Sequence, residues 1–548
     1  MKLFLLFDSF RSQKEWPFRF LDSSARFPFS GLLDGTIADF GEFDECLAIS
    51  HAQNEFSVSG KYCLLNVLFP KPGNTSETEL RFHSALVDVT NTTLDDTLFA
   101  RFARNANLFY ISRGLTLGAC FPDTCSARDL QTLVSSLIEP TIGLKVEVNS
   151  CQSRDSRPPI TTAQMVAIAV LASLSAVTLA ATMADFWGKE NQFIICFSIS
   201  RNWRKLFEKN TKTRALSAVH GMRVLAILWI LIGHVYLMQF FHIFHVMRRL
   251  VAEMPRLAQI QYQPLKMGSF LQVDTFLFLG GVTAAYVTLD VTSRTKRRFD
   301  WFAFLALRWL RYTPAVCGLV LFYLLLPLLG SGPIFQQQIQ QMYIPCEQYF
   351  YRNLLYYNNF FDSDGNCATH TWYLAVDFQL YALSPLLIFA LKARPKLGVA
   401  FALTLIFIVG PLSAVSPLFL DSTLFPNLFS LNSILSEQSI SRHFRLLYWG
   451  AWQHISPYCC GLVVGFVVHS RPTLRVSRAA QLCLWCLTLT SGVATIFWTT
   501  NWMNSLAAEE TPGFAHRALF TAFHRITWTA LPAWIVLSNA LNTPGNRH

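Results

Sequence analysis

Charge is scarce in this sequence: only 14% of its 548 residues are Asp, Glu, Lys or Arg, against about 25% in soluble globular chains. That shortage excludes an ordinary soluble fold for most of the length, because a solvated surface needs more polar cover. Heptads, low-complexity tracts and soluble-type repeats are also lacking, which excludes coiled coils and solenoids. No His or second Cys pair follows Cys120-x4-Cys125 at zinc spacing, so no metal site is expected. The first ten residues hold only Leu3-Phe4-Leu5-Leu6-Phe7 before Asp8. An export signal carries about seven to fifteen apolar residues, so a full leader is not expected within these ten.

What is abundant is apolar surface. Hydrophobic residues make up 52% of the chain and aromatics 14%. Residues 1–158 are polar and turn-rich, as at Lys71-Pro72-Gly73-Asn74, and Arg157-Pro158-Pro159 forms a stiff junction. From Ile160 apolar segments recur at roughly 160–182, 215–239, 268–289, 308–329, 370–391, 397–417, 447–469, 479–499 and 518–540. Each is long enough to cross about 30 Å of hydrocarbon at about 1.5 Å per residue. The expected fold is an all-α polytopic membrane protein of about nine transmembrane helices, residues 160–540, behind a small disulfide-containing N-terminal domain, residues 1–158.

The net charge of +11 sits in short loops between apolar runs, which marks topology and not nucleic-acid binding; the expected partner is the bilayer. The first inter-span loop carries Lys189, Arg201, Arg204, Lys205, Lys209, Lys212 and Arg214, the third Arg294, Lys296, Arg297 and Arg298. The 330–369 loop carries only Arg352. Odd loops are therefore expected in the cytosol, and residues 1–158 in the lumen or exterior. Glycosylation sequons at Asn74 and Asn91 fall on that outer side. So do Cys46, Cys63, Cys120, Cys125 and Cys151, with Cys346 and Cys367 in one outer loop. All seven are disulfide candidates in an oxidising compartment, and Cys120, Cys125 and Cys151 in particular are expected in bridges. Their partners are left open, because four cysteines already permit three connectivities. Seven is odd, so one thiol is unpaired or an upstream cysteine is missing.

Ionisable residues inside spans are costly and mark functional candidates. On the expected topology His234, Asp274, Asp377 and His454 fall in one layer about 8–11 Å beneath the outer face, a proton-handling arrangement. Arg223 and His234 are eleven residues apart and so share a helix face, separated by about 16 Å along the axis. His370, Tyr373, Asp377 and Tyr381 form a polar stripe at helical spacing. Other readings stay open. A His or Asp in a span also serves as a helix-to-helix hydrogen-bond partner, Arg308 and Arg311 at a helix end also snorkel to the interface, and Trp372 and Tyr373 also fit an aromatic belt. Gly280-Gly281 reads most simply as close helix packing.

Gly221-Met222-Arg223 through Gly233-His234 resembles the Arg–His helix of the acyltransferase 3 family. Val273-Asp274-Thr275-Phe276 with Gly280-Gly281, Arg308-Trp309-Leu310-Arg311, and His370-Thr371-Trp372-Tyr373 followed by Asp377 look like its next motifs. Gly41 to Cys46, Gly60-Lys61-Tyr62-Cys63 and Gly118 to Cys125 resemble the N-terminal domain of nose resistant to fluoxetine proteins. The resemblance implies a membrane acyltransferase with no permanently bound cofactor. It would move an acyl group from a cytosolic acyl-coenzyme A donor to a lipid or small-molecule acceptor. His234 would be catalytic, oriented by Asp274 or Asp377; Arg223, Arg308 and Arg311, with His370, Trp372, Tyr373 and His454, would hold donor and substrate. Family members begin with a signal peptide and a further cysteine, and run through more spans after the segment matching Phe523-His524-Arg525. Against that pattern this chain is expected to lack pieces at both ends. The alternative reading is a transporter or lipid- and drug-handling protein on the same scaffold.

Overall fold

The computed structural model describes residues 9, 11–26, 30–31, 36, 38–53, 56–68, 115–137, 145–154, 159–188, 191–192, 196–208, 216–242, 263–295, 298–421, 437–470, 476–499 and 513–540. Asn74 and Asn91 lie outside them. The chain divides into two compact units, one built chiefly on Met1–Ile160 and one on the apolar helices that follow.

The first unit contains helix α1 (Glu15–Asp22), strand β1 (Ala38–Asp39), helix α2 (Phe43–Ala48), strands β2 (Ser50–Gln53), β3 (Phe56–Leu68) and β4 (Leu115–Pro122), helix α3 (Ala127–Leu137) and strand β5 (Lys145–Ser153). Long β3 is the centre of the sheet. It pairs antiparallel with β4 along one edge and with β2 and then β5 along the other, while β1 adds parallel to β4. Register places Cys63 opposite Cys151, and these two are bridged. Cys46 on α2 is bridged to Cys120 on β4, over a core of Phe20, Ile49, Val58, Tyr62 and Leu64. Bridges that close loops of this length remove conformational freedom from the unfolded chain and add about 2–4 kcal/mol each.

Cys120 and Cys151 are bridged as expected, but Cys125 corrects the expectation that it too is bridged, since it is a free thiol. The Pro122–Cys125 turn, closed by Cys125 N–H to Pro122 O at 3.0 Å, carries it past the end of β4. Lys61 Nζ donates to the carbonyls of Asp123 and Cys125 at 2.6 and 2.7 Å and fixes that turn. The other four domain cysteines are already paired.

After Ile160 the chain runs α4 (Thr162–Phe186), α5 (Ile199–Phe207), α6 (Ser217–His242), α7 (Gln263–Thr295), α8 (Trp301–Leu325), α9 (Pro333–Leu354), α10 (Trp372–Ala393), α11 (Pro395–Leu420), α12 (Glu437–Leu447), α13 (Ile455–Ser470), α14 (Arg478–Phe497) and α15 (Phe514–Ala540). Among the described residues eight helices are long and apolar enough to cross a membrane, matching the first eight expected segments. The ninth forms helix α15 but falls outside that set, because His516, Arg517, His524 and Arg525 dilute its hydropathy.

Burial sorts these helices. The apolar window of α7 is 72% buried, whereas that of α4 is 11% buried, so α7 is an inner helix and α4 an outer one. Alpha7 crosses α13 at backbone contact. A Cβ on Gly281 would meet Tyr458 O at 2.4 Å, and one on Gly461 would meet Phe278 O at 2.1 Å. Small residues allow this approach between helices that have no water-driven force to join them. Ahead of α10, Cys346 and Cys367 form the third bridge. Asn353 Nδ2 donates to Cys367 O at 2.6 Å and to Thr371 Oγ1 at 2.7 Å. That lacing fixes where α10 begins.

Candidate functional site

Among the described residues, the ionisable side chains singled out from the sequence fall into three separate groups of neighbours. The first lies at the junction of α7, α8 and α10. Arg308 Nη2 donates to Asp377 Oδ2, and both side chains are largely buried. The guanidinium carbon sits 3.8 Å from the Tyr381 ring centroid, and Phe304 stacks on the far side of that ring at 3.9 Å. Tyr373 lies beside Phe276, with ring centroids 6.2 Å apart. A Cβ on Gly280 would come 3.1 Å from Asp377 Oδ1, so the glycine leaves that carboxylate its room. Arg223 donates to Thr283 Oγ1 at 3.4 Å. Arg223, Arg308, Arg311 and Asp377 all lie close enough for their charges to act on the Tyr312 phenol. Three guanidiniums and one carboxylate within electrostatic range of Tyr312 leave an excess of positive charge, a setting suited to phosphate. Arg308 is thus anchored on Asp377, and Arg311 is exposed.

The second cluster is wholly internal. His454, at the end of the short helical turn Ala451–His454 before α13, approaches Asp274 Oδ1 with Nδ1 at 2.6 Å and Tyr448 O with Nε2 at 2.8 Å. A carbonyl oxygen only accepts, so Nε2 carries a proton and the Nδ1–Asp274 contact holds a second. Arg525 of α15 adds Nε at 3.7 Å from Asp274 Oδ2 and donates from Nη2 to Leu447 O at 2.9 Å. A cavity of about 30 Å³, lined by Asp274, Tyr448, His524 and Arg525 among others, has room for a water. Trp372 lies over His454 with centroids 5.8 Å apart, and 4.8 Å from Tyr448. His454 and Trp372 are buried, and both ring nitrogens of His454 are engaged. Asp274 is committed to His454 and Arg525, Asp377 to Arg308, and neither carboxylate hydrogen-bonds to His234.

His234 stands apart, exposed near the end of α6. Its Nδ1 contacts Ile230 O at 2.9 Å. Since the carbonyl accepts, Nδ1 holds the proton, and Nε2 keeps its lone pair. His370, also exposed, lies within electrostatic range of His234 and 6.2 Å from the Tyr323 ring. The sequence reasoning missed Arg525, His524 and Tyr448. The available signal was an arginine within an otherwise apolar final segment, which needs a counter-charge.

Residues 216–545 match the family model described as Acyltransferase domain. Residues 1–134 match that described as Nose resistant-to-fluoxetine protein, N-terminal domain. Over 97% of its length the chain is 23% identical to Nose resistant to fluoxetine protein 6 of Caenorhabditis elegans, covering 69% of that protein. Over 57% of its length it is 25% identical to Regulator of hypoxia-inducible factor 1 of the same organism, covering 63% of it. No solved structure matches.

Proposed function

The chain belongs to the acyltransferase-domain family, and from that premise we propose that it moves an acyl group from a cytosolic acyl-coenzyme A to a lipid or small-molecule hydroxyl or amine. The supporting observation is His234: an exposed imidazole whose Nδ1 is held on Ile230 O, leaving Nε2 as a free base. Arg223 lies on the same helix, about 16 Å along its axis, with Arg308 and Arg311 nearby. An extended donor would rest its phosphates by these guanidiniums and present its thioester to His234, with His370 and Tyr373 lining the path. The acceptor's oxygen or nitrogen bonds the thioester carbon while its proton passes to Nε2. The tetrahedral oxyanion collapses, the C–S bond breaks, and the departing thiolate takes the proton from the imidazolium.

The N-terminal domain belongs outside the cytosol in this reading, supported by its two bridges. The test is steady-state transfer from labelled acyl-coenzyme A, with melting temperature measured in parallel. His234→Ala is expected to cost at least about a hundredfold in turnover at unchanged stability. Arg223→Ala is expected to raise the donor's KM more than it lowers kcat. Near-normal turnover in His234→Ala removes the residue from the mechanism and moves the reading to transport or lipid handling.

A further inference from the structure

Helix α5 fits none of the roles above. It is tied at one end to the last turns of α4. Ser198 Oγ donates to Asp185 Oδ2 at 2.8 Å, Arg201 Nη2 to Asp185 Oδ1 at 3.0 Å, and Ile199 N–H to Thr182 Oγ1 at 3.1 Å. Asp185 is itself nearly buried. Alpha5 therefore starts where a membrane-spanning helix ends. None of its residues is buried, yet Ile199, Trp203, Leu206 and Phe207 are 53%, 62%, 74% and 66% exposed. At about 100° per residue these four fall within an arc of about 100°, and Arg204 and Lys205 fall outside it on the other side. Trp203 and Phe207 present their rings together, with centroids 4.9 Å apart. Phe186 and Trp187 at the end of α4 are each 76% exposed, so the apolar surface of the span runs on into the helix.

We propose that α5 is an in-plane anchor whose apolar face sinks into the bilayer edge while Arg204 and Lys205 bind anionic lipid headgroups. An apolar stripe of this size does not stay in water, and the apolar medium already covering α4 lies beside it. Arg204, at the outer edge of Asp185's reach at 4.0 Å and bonded to Ser200 Oγ at 3.3 Å, flanks the stripe with Lys205, and this cationic pair selects negative headgroups over neutral ones. Arg201 serves a different end, since its bond to Asp185 sets the angle at which α5 leaves the span. The proposal does not depend on the acyl-transfer reading.

The experiment uses the full chain in lipid nanodiscs, with exposed Cys196, Cys483 and Cys486 changed to Ser. A bimane label is placed on the apolar face by Phe207→Cys or, separately, on the polar face by Lys205→Cys. Quenching by acyl-chain-brominated phosphatidylcholine is expected to be at least about twofold stronger at 207 than at 205. Adding phosphatidylserine should strengthen quenching at 207, and Arg204→Gln with Lys205→Gln should remove that gain. Equal quenching at both positions, weak or strong, overturns the in-plane placement; weak quenching at both is also the outcome for a helix covered by a protein partner. A phosphatidylserine response that is absent, or unchanged in the Gln variant, overturns the headgroup assignment. Should Phe207→Cys fail to assemble, Leu206→Cys reports from the same face.

Discussion

The sharpest stability prediction concerns Asp274. Its two oxygens face His454 at 2.6 Å and Arg525 at 3.7 Å, all with side chains at most 5% exposed. Asp274→Leu fills similar volume but leaves two basic groups buried without their anion. Breaking a buried charge network by removing one partner costs about 3–5 kcal/mol. Hydrogen bonds between membrane helices are worth less, about 0.6 kcal/mol on average and about 1.7 at most. The charged estimate governs here because Arg525 cannot shed its proton. At about 2–4 °C per kcal/mol for domains of about 150–250 residues, and less for a unit this large, the melt should fall by roughly 5–10 °C. Adding Arg525→Met removes the orphaned cation and should recover part of the loss. Their coupling would be about 0.5–3 kcal/mol. The assay is thermal unfolding in detergent for both single variants and the pair. A shift under about 2 °C in Asp274→Leu, or additive single and double effects, refutes a buried charge network and leaves ordinary hydrogen bonding.

Two other outcomes are open to direct measurement. If residues 1–158 and 330–369 lie outside the cytosol, glycosidase-sensitive mass disappears in an Asn74→Gln, Asn91→Gln variant; labelling within 70–95 by a reagent confined to the cytosol defeats that topology. Cys125 is partly buried, which pushes its thiol pKa up, with Lys61 opposing. The thiolate is the reactive form, so alkylation of Cys125 should be slower at pH 7 than that of exposed Cys196 and should rise about tenfold per pH unit toward its pKa; equal rates at pH 7 contradict this.

Spans were legible because lipid exposure imposes a length and a composition that any apolar helix must satisfy. Alpha15 departs from that rule for a local reason. Its His524 bonds the Phe520 carbonyl one turn back, while Arg525 is met by Asp274 and the Leu447 carbonyl, and those two partners are remote in sequence. The N-terminal sheet was not legible at all. Its central strand is buried on a nearly continuous run, Tyr62 to Leu65, so the alternation that identifies a half-solvated strand is missing. The Cys63–Cys151 bridge depended on strand register, which no spacing along the chain encodes.

For the site, sequence supplies depth along each helix but not the direction in which a side chain points across the bundle. Asp274 and His454 were expected at one level, and they touch. His234 was placed at that level too, yet it faces outward on α6, where 17% of the apolar window is buried. Arg308 shows the opposite limit. Its position seven residues into α8 placed it near an interface, but a side chain of that length, lying against Tyr381, reaches the carboxylate at Asp377 from the neighbouring helix. Of the stripe read from helical spacing, Tyr373, Asp377 and Tyr381 belong to that first cluster, whereas His370 lies with His234. The two internal carboxylates are therefore each spent on holding a cation in place. His234 is exposed, and among the described residues neither of these carboxylates hydrogen-bonds to it.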